Sequence, residues 1–203
     1  MNSSFYRLPK LTTVQKWIAE VPDDFSFTFK ISKSVRHAKY LAFDDDNVNS
    51  FLDILKTAEN KLGCILIQLP PSTNISAFDQ LRKLIKLIQH HSAVRIAVEF
   101  RNESWYVDRT FQLLREHHAS IVIHDYKKGK FIEQVDQPFY YYRFHGIDSS
   151  YRGHYSEEIL KSYADEIAPL LKKGKTVYCY FNNTMGGAFE NARRIDELIR
   201  QNQ

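Results

Sequence analysis

The sequence predicts an α/β fold, a parallel (β/α) barrel, and three observations carry that prediction. Apolar strand patterns alternate strictly with helical ones along the 203 residues, the signature of a parallel sheet with helices outside it. The strand segments finish in polar or charged residues, most clearly in AVRIAVEFRNESW from Ala93 to Trp105, and a parallel barrel gathers such ends at its catalytic face. No glycine-rich phosphate turn follows the first complete strand, as it normally would in an open doubly wound sheet.

Taken in order, the fragment Ser3 to Leu8 is followed by a helix that opens at Thr12 or Thr13 as N-cap and runs through Val14, Trp17, Ile18 and Val21 to Pro22. In FSFTFKIS a clean period of two sets Phe25, Phe27, Phe29 and Ile31 against covering helices, and Ser26, Thr28, Lys30 and Ser32 towards the interior. The unit then repeats. A helix at about 48–61 leads to strand GCILIQLPP, a helix at about 76–90 to strand VRIAVEFR, and a helix at about 107–118 to strand SIVIHD. Strand FYYYRFHG follows a loop too short for a full helix. A helix opened by Ser156 with Glu157 and Glu158 in its first turn, strand TVYCYFNN and a helix at about 188–201 complete the series.

These are seven strand signals and six helices, against the eight strands and about 250 residues of a full barrel. The first strand is a stub around Phe5. The expectation is therefore an N-terminally truncated barrel, open between Ser3–Tyr6 and Thr176–Asn182, whose exposed edge invites self-association.

With 43% hydrophobic and 26% charged residues the composition is that of a globular protein, read as one domain over residues 1–203 without a linker. No apolar run is long enough to cross a bilayer, and MNSSFYRLPK lacks the basic start and apolar block of a secretory signal, so a cytoplasmic location away from membranes is expected. The net charge of +4 is mild. Lys127, Lys128 and Lys130, and Lys172, Lys173 and Lys175, each flank a glycine and read as solvated turns, which leaves nucleic acid a disfavoured partner. Cys64 and Cys179 fall inside strands and read as small buried hydrophobes.

The segments NSSFYRLP, FTFKIS followed by His37, LGCILIQLPPS, AVEFRNESW, YYRFHG and YFNNTMGGAFENA, in collinear order over nearly the whole chain, resemble the YecE-like family, domain of unknown function 72. The resemblance implies a TIM-barrel-like fold and an activity that is not established. It picks out Asn2, Phe5, Tyr6, Arg7, Lys30, His37, Gln68, Glu99, Arg101, Trp105, Arg143, His145, Gly146, Asn182 and Asn183. The family pattern normally begins with a further strand bearing a Gly-Trp segment and a helix, which this sequence lacks.

Glu99 and Arg101 lie two apart on a strand and share a face, so they form either a structural bridge or an acid/base group beside a substrate clamp. Arg143 and His145 share a face in the same way, with Tyr141 below them, and Gly146 would let a ligand approach the backbone. Among the strand-end candidates Arg7, Lys30, Arg101 and Arg143 outnumber Glu99 and Asp125, which suits a small anionic ligand. Gln68, Asn182 and Asn183 would add neutral hydrogen bonds, and Trp105 would either stack on a sugar or base or pack in the core.

The glycine-bearing NNTMGGA precedes a helix, where many barrels bind phosphate on backbone N–H groups. His124, Asp125, Glu99 and His145 are metal-ligand types, but no HxH or HExxH spacing is present, so neither metal nor cofactor is expected. The sequence thus points to an enzyme acting on a phosphorylated sugar or nucleotide-like substrate, with Glu99 and His145 as acid/base groups. The alternatives are a non-catalytic module binding nucleic acid or an anionic partner, and an inactive remnant.

Overall fold

A computed structural model of the chain describes residues 8–36, 38–125, 136–147 and 151–202. It falls into two compact units, one ending at Ala119 and the other beginning at Ser120. The expectations placed on Asn2, on the Ser3–Tyr6 stub, on Arg7 and His37, and on the lysines at 127, 128 and 130 lie outside the described residues.

The first unit contains α1 (Leu11–Ala19), β1 (Phe27–Lys30), the single turn α2 (Lys33–Arg36), α3 (Asp45–Leu55), β2 (Leu62–Leu69), α4 (Phe78–His91), β3 (Arg95–Phe100) and α5 (Asp108–Glu116). Its strands pair in parallel in the order β1-β2-β3, in the register Lys30↔Leu66 and Gln68↔Glu99. Parallel strands covered on both faces read as near-continuous buried runs. The lengths of β2 and β3 beyond their first residues are buried accordingly. Ile65 and Leu62 of β2 meet Leu52 and Leu55 of α3 around a small cavity of about 30 Å³.

Local chemistry explains where these elements differ from expectation. Helix α1 begins at Leu11, because the carbonyl of extended Lys10 accepts from the N–H groups of Thr13 and Val14 at 2.9 and 3.2 Å and no threonine hydroxyl caps the turn. It ends three residues before Pro22, whose ring disfavours helical backbone at the preceding residue. Strand β1 excludes Phe25, which is 44% exposed. Helix α3 starts ahead of the expected residue because Asp44 caps it, accepting from the N–H of Asp46 at 3.0 Å, and Asp45 and Asp46 favour its positive end. Its predicted last turns are instead a 3₁₀ segment, Lys56–Lys61.

The second unit contains β4 (Ser120–His124), β5 (Tyr140–Phe144), β6 (Arg152–Gly153), α6 (Glu157–Lys172), β7 (Val177–Phe181), β8 (Met185–Gly186) and α7 (Ala188–Gln201). Strands β4, β5 and β7 are parallel, and the register places Val122, Tyr141 and Tyr178 in one row and His124, Arg143 and Tyr180 in the next. The alternate residues face α6 and α7. Tyr142 and Phe144 pack there with Leu160, Ala164, Ile167, Ile195 and Leu198 as one apolar core. Ser156 caps α6 as expected, accepting from the Ile159 N–H. The two-residue strands β6 and β8, which pair with each other in parallel, have no counterpart in the predicted elements.

Candidate functional site

Each unit carries polar side chains at the C-terminal ends of its parallel strands. In the first, the register sets Lys30, Gln68 and Glu99 on one face, because residues paired across parallel strands point the same way. Lys30 Nζ donates to Gln68 Oε1 at 2.5 Å. Arg101 Nε donates to Glu99 Oε1 at 2.8 Å, and Glu99 has no exposed surface. Two residues apart on an extended chain, the carboxylate and guanidinium meet as the period of two anticipates. Burial, with Glu99 and Glu103 nearby, pushes the phenol of Tyr106 up to about 12.

Trp105 has no exposed surface; its ring stacks on Phe100 at 4.9 Å and its indole N–H donates to the Thr73 carbonyl at 2.7 Å. Of its two expected roles, packing is the one these contacts serve. Asn102 and Ser104 organise the turn between them, with Asn102 Nδ2 donating to the Pro71 carbonyl and the Ile75 N–H donating to Ser104 Oγ.

In the second unit a network centres on Asp125, directly after β4. Its carboxylate accepts from the backbone N–H of His145 at 2.9 Å to each oxygen, from His145 Nδ1 at 3.0 Å, and from the hydroxyl of Tyr155. The Tyr155 oxygen in turn accepts from the Gly146 N–H at 2.6 Å. Burial by itself would raise the Asp125 carboxyl, but the bonds from the His145 ring, from Tyr155 and from the His145 N–H outweigh it and hold the group below its ordinary value. Burial, reinforced by the bond to Asp125, pushes the Tyr155 phenol upward.

His145 is fully buried, with Tyr151 edge-on to it at 5.6 Å and His124 edge-on at 6.2 Å. Arg143 lies on the same face one pleat earlier, and the Asn182 amide oxygen, turned towards it, accepts from the guanidinium at 3.1 and 3.3 Å. Tyr141 lies below, stacked on Tyr180 at 5.0 Å.

Two residues expected to meet a ligand make close contacts within the chain. Gly146 has φ +98°, and a Cβ there would come within 2.5 Å of the Arg152 carbonyl oxygen, so the close approach is made by the chain itself. Asn183 is fully buried and donates to the Gly153 carbonyl at 2.8 Å and to Asn191 Oδ1 at 3.0 Å, tying the β6–β8 pair to α7. In NNTMGGA, which does precede α7, the ring of His154 lies directly against Gly187.

The sequence counted Asp125 among the strand-end carboxylates and as a possible metal-ligand type without giving it a role in the site, and it passed over Tyr155. Asp125 ends a strand, the signal that marked the other candidates. Tyr155 stands in a loop where no period exists to read. Among the described residues no three His, Cys, Asp or Glu side chains converge to hold a metal ion, and no helix is long and apolar enough to cross a membrane.

Parallel strands alternating with helices, with polar groups at the strand ends, define an α/β protein of the TIM-barrel-like class. A crystal structure of a DUF72 family protein from Thermotoga maritima has this chain's fold, with a TM-score of 0.80 and 26% identity over 97% of this chain and 82% of that one. The chain belongs to the family described as protein of unknown function DUF72, whose profile matches residues 1–203. It is 23% identical to the UPF0759 protein YunF of Bacillus subtilis, over 98% of this chain and 82% of that protein. It is 35% identical to the UPF0759 protein YecE of Escherichia coli K12, over 34% of this chain and 25% of that protein.

Proposed function

We propose that the protein is an enzyme performing acid/base chemistry on a small anionic substrate, with His145 as the proton-transferring group. The observation that supports this best is the Asp125–His145 contact. A carboxylate accepting from Nδ1 assigns that nitrogen the proton in the neutral ring, and in this reading Nε2 is the nitrogen that exchanges one with the substrate. The same carboxylate stabilises the imidazolium once Nε2 has taken a proton. Tyr155 and the His145 N–H position Asp125, so ring orientation is set before any ligand arrives.

Arg143 supplies the anion contact, because its guanidinium presents a fork suited to phosphate or carboxylate, and the Asn182 amide oxygen orients that fork. Glu99 is the other candidate acid or base, held by Arg101 in the first unit.

The test has two stages. Inorganic phosphate at millimolar concentration should raise the melting temperature above that of an ionic-strength-matched chloride control, and Arg143→Ala should abolish the difference. Mass-spectrometric screening of phosphorylated metabolites should then reveal a conversion that wild type performs and His145→Gln does not. Equal shifts with chloride, or an Arg143→Ala variant that responds like wild type, would refute the reading.

A further inference from the structure

The segments that follow the strand ends of the second unit expose four large apolar side chains. Ile147 is 65% exposed, Tyr151 39%, Met185 66% and Phe189 78%, and they make up four of the nine large hydrophobic side chains so exposed among the described residues. All four lie on the two segments that leave the polar groups. Ile147 and Tyr151 follow His145 and Gly146, while Met185 and Phe189 follow Asn182 and Asn183.

The two segments are tied to each other and to the polar groups. Arg152 pairs with Met185 and Gly153 with Gly186 in the β6–β8 ladder, and the Met185 N–H donates to the Tyr151 carbonyl at 3.2 Å. The Tyr151 N–H donates to the His145 carbonyl at 2.8 Å, and the Asn182 N–H to the Phe144 carbonyl at 2.7 Å. A Cβ on Gly186 would lie 2.5 Å from the Gly153 oxygen, so this approach of the two segments depends on glycine. Tyr151, at φ 65°, is held in the left-handed region, which costs free energy for a bulky residue unless its neighbours enforce it. The result is a braced rim, with one of its rings packed against His145.

Solvent-exposed apolar side chains scattered singly need no explanation, whereas a set gathered on two bonded segments beside a buried guanidinium marks a binding surface. We infer that the substrate is an anion attached to an apolar body, aromatic or alkyl, whose charged end meets Arg143 while its body lies on Ile147, Tyr151, Met185 and Phe189. This rests on the proposed function above and narrows its substrate class. A sugar phosphate would set hydroxyls against these four side chains, of which only Tyr151 can donate or accept a hydrogen bond. An aryl or alkyl phosphate or carboxylate would remove apolar area from water on both partners.

Thermal shifts of the full chain, measured with inorganic phosphate, glucose 6-phosphate and phenyl phosphate at matched ionic strength, test the inference. Phenyl phosphate should reach its half-maximal shift at about tenfold lower concentration than glucose 6-phosphate, the gain expected from burying one face of a ring. In M185S/F189S, whose changes are at exposed positions, the two should converge. Equal potency in wild type, or a preference that survives M185S/F189S, overturns the apolar body; the anion reading still stands if inorganic phosphate gives a shift that Arg143→Ala removes. A phenyl phosphate shift unchanged in Arg143→Ala, or no shift with any of the three, overturns both.

Discussion

The two units each hold a buried or nearly buried carboxylate, and they hold it differently. In the first, Glu99 meets the guanidinium of Arg101 at 2.8 Å, a partner that stays charged at every pH a protein survives. In the second, Asp125 meets the imidazole of His145, a ring that carries both a donor and an acceptor nitrogen. An Arg–Glu pair fixes geometry and charge, and only its carboxylate can exchange a proton. In a His–Asp pair the carboxylate fixes the ring and the imidazole exchanges the proton, and that is why the second unit carries the chemical proposal. Asp125 collects bonds from the ring and backbone N–H of His145 and from the phenol of Tyr155, so two separate segments hold it.

The sharpest way to break this comparison is to remove the two carboxylates in turn. Asp125→Ala strips the acceptor from the His145 N–H, from Nδ1 and from Tyr155, all buried, and should destabilise the protein by about 4 kcal/mol in urea unfolding. Glu99→Gln keeps an amide oxygen for Arg101, which is 14% exposed, and should cost about 2 kcal/mol. Equal losses would show that the bonds gathered on Asp125 are worth no more than the contact between Glu99 and Arg101.

A smaller effect sharpens the electrostatic half of the contrast. Tyr155→Phe removes one donor to Asp125 and the acceptor of the Gly146 N–H, for a loss of about 1.5 kcal/mol at neutral pH. Its signature lies in the pH dependence. Because the folded-state value of Asp125 lies below its unfolded value, its contribution is present above the unfolded value and is lost as pH falls through the folded one. Tyr155→Phe moves the folded value upward, so the Asp125 share of that acid loss shrinks. At the alkaline end the sign reverses. The raised Tyr155 phenol contributes stability below its unfolded value of about 10, and wild type loses this as pH climbs towards the folded value. The variant should lack that limb, and an alkaline profile identical to wild type would contradict the assigned bond.

Local patterning located β1 to β5, β7 and the longer helices, and showed which strand ends carry charge, but not the short α2, β6 and β8. Period-two alternation put Glu99 with Arg101 and Arg143 with His145 on shared faces, and Ser156 with its two glutamates marked the start of α6, because each depends on neighbours two to four residues apart. The start of α1 was less legible, since its cap is a backbone carbonyl and any residue at position 10 could supply it. What only the tertiary structure decided are the contacts made across the chain. Asp125 meets His145 across 20 residues and Tyr155 across 30, Gly146 is demanded by the backbone of Arg152, and Asn183 is drawn inward by Gly153 and Asn191. No periodicity encodes such pairs. They form because a buried polar group must find a partner wherever the fold brings one within reach, and that choice is made by packing rather than by sequence spacing.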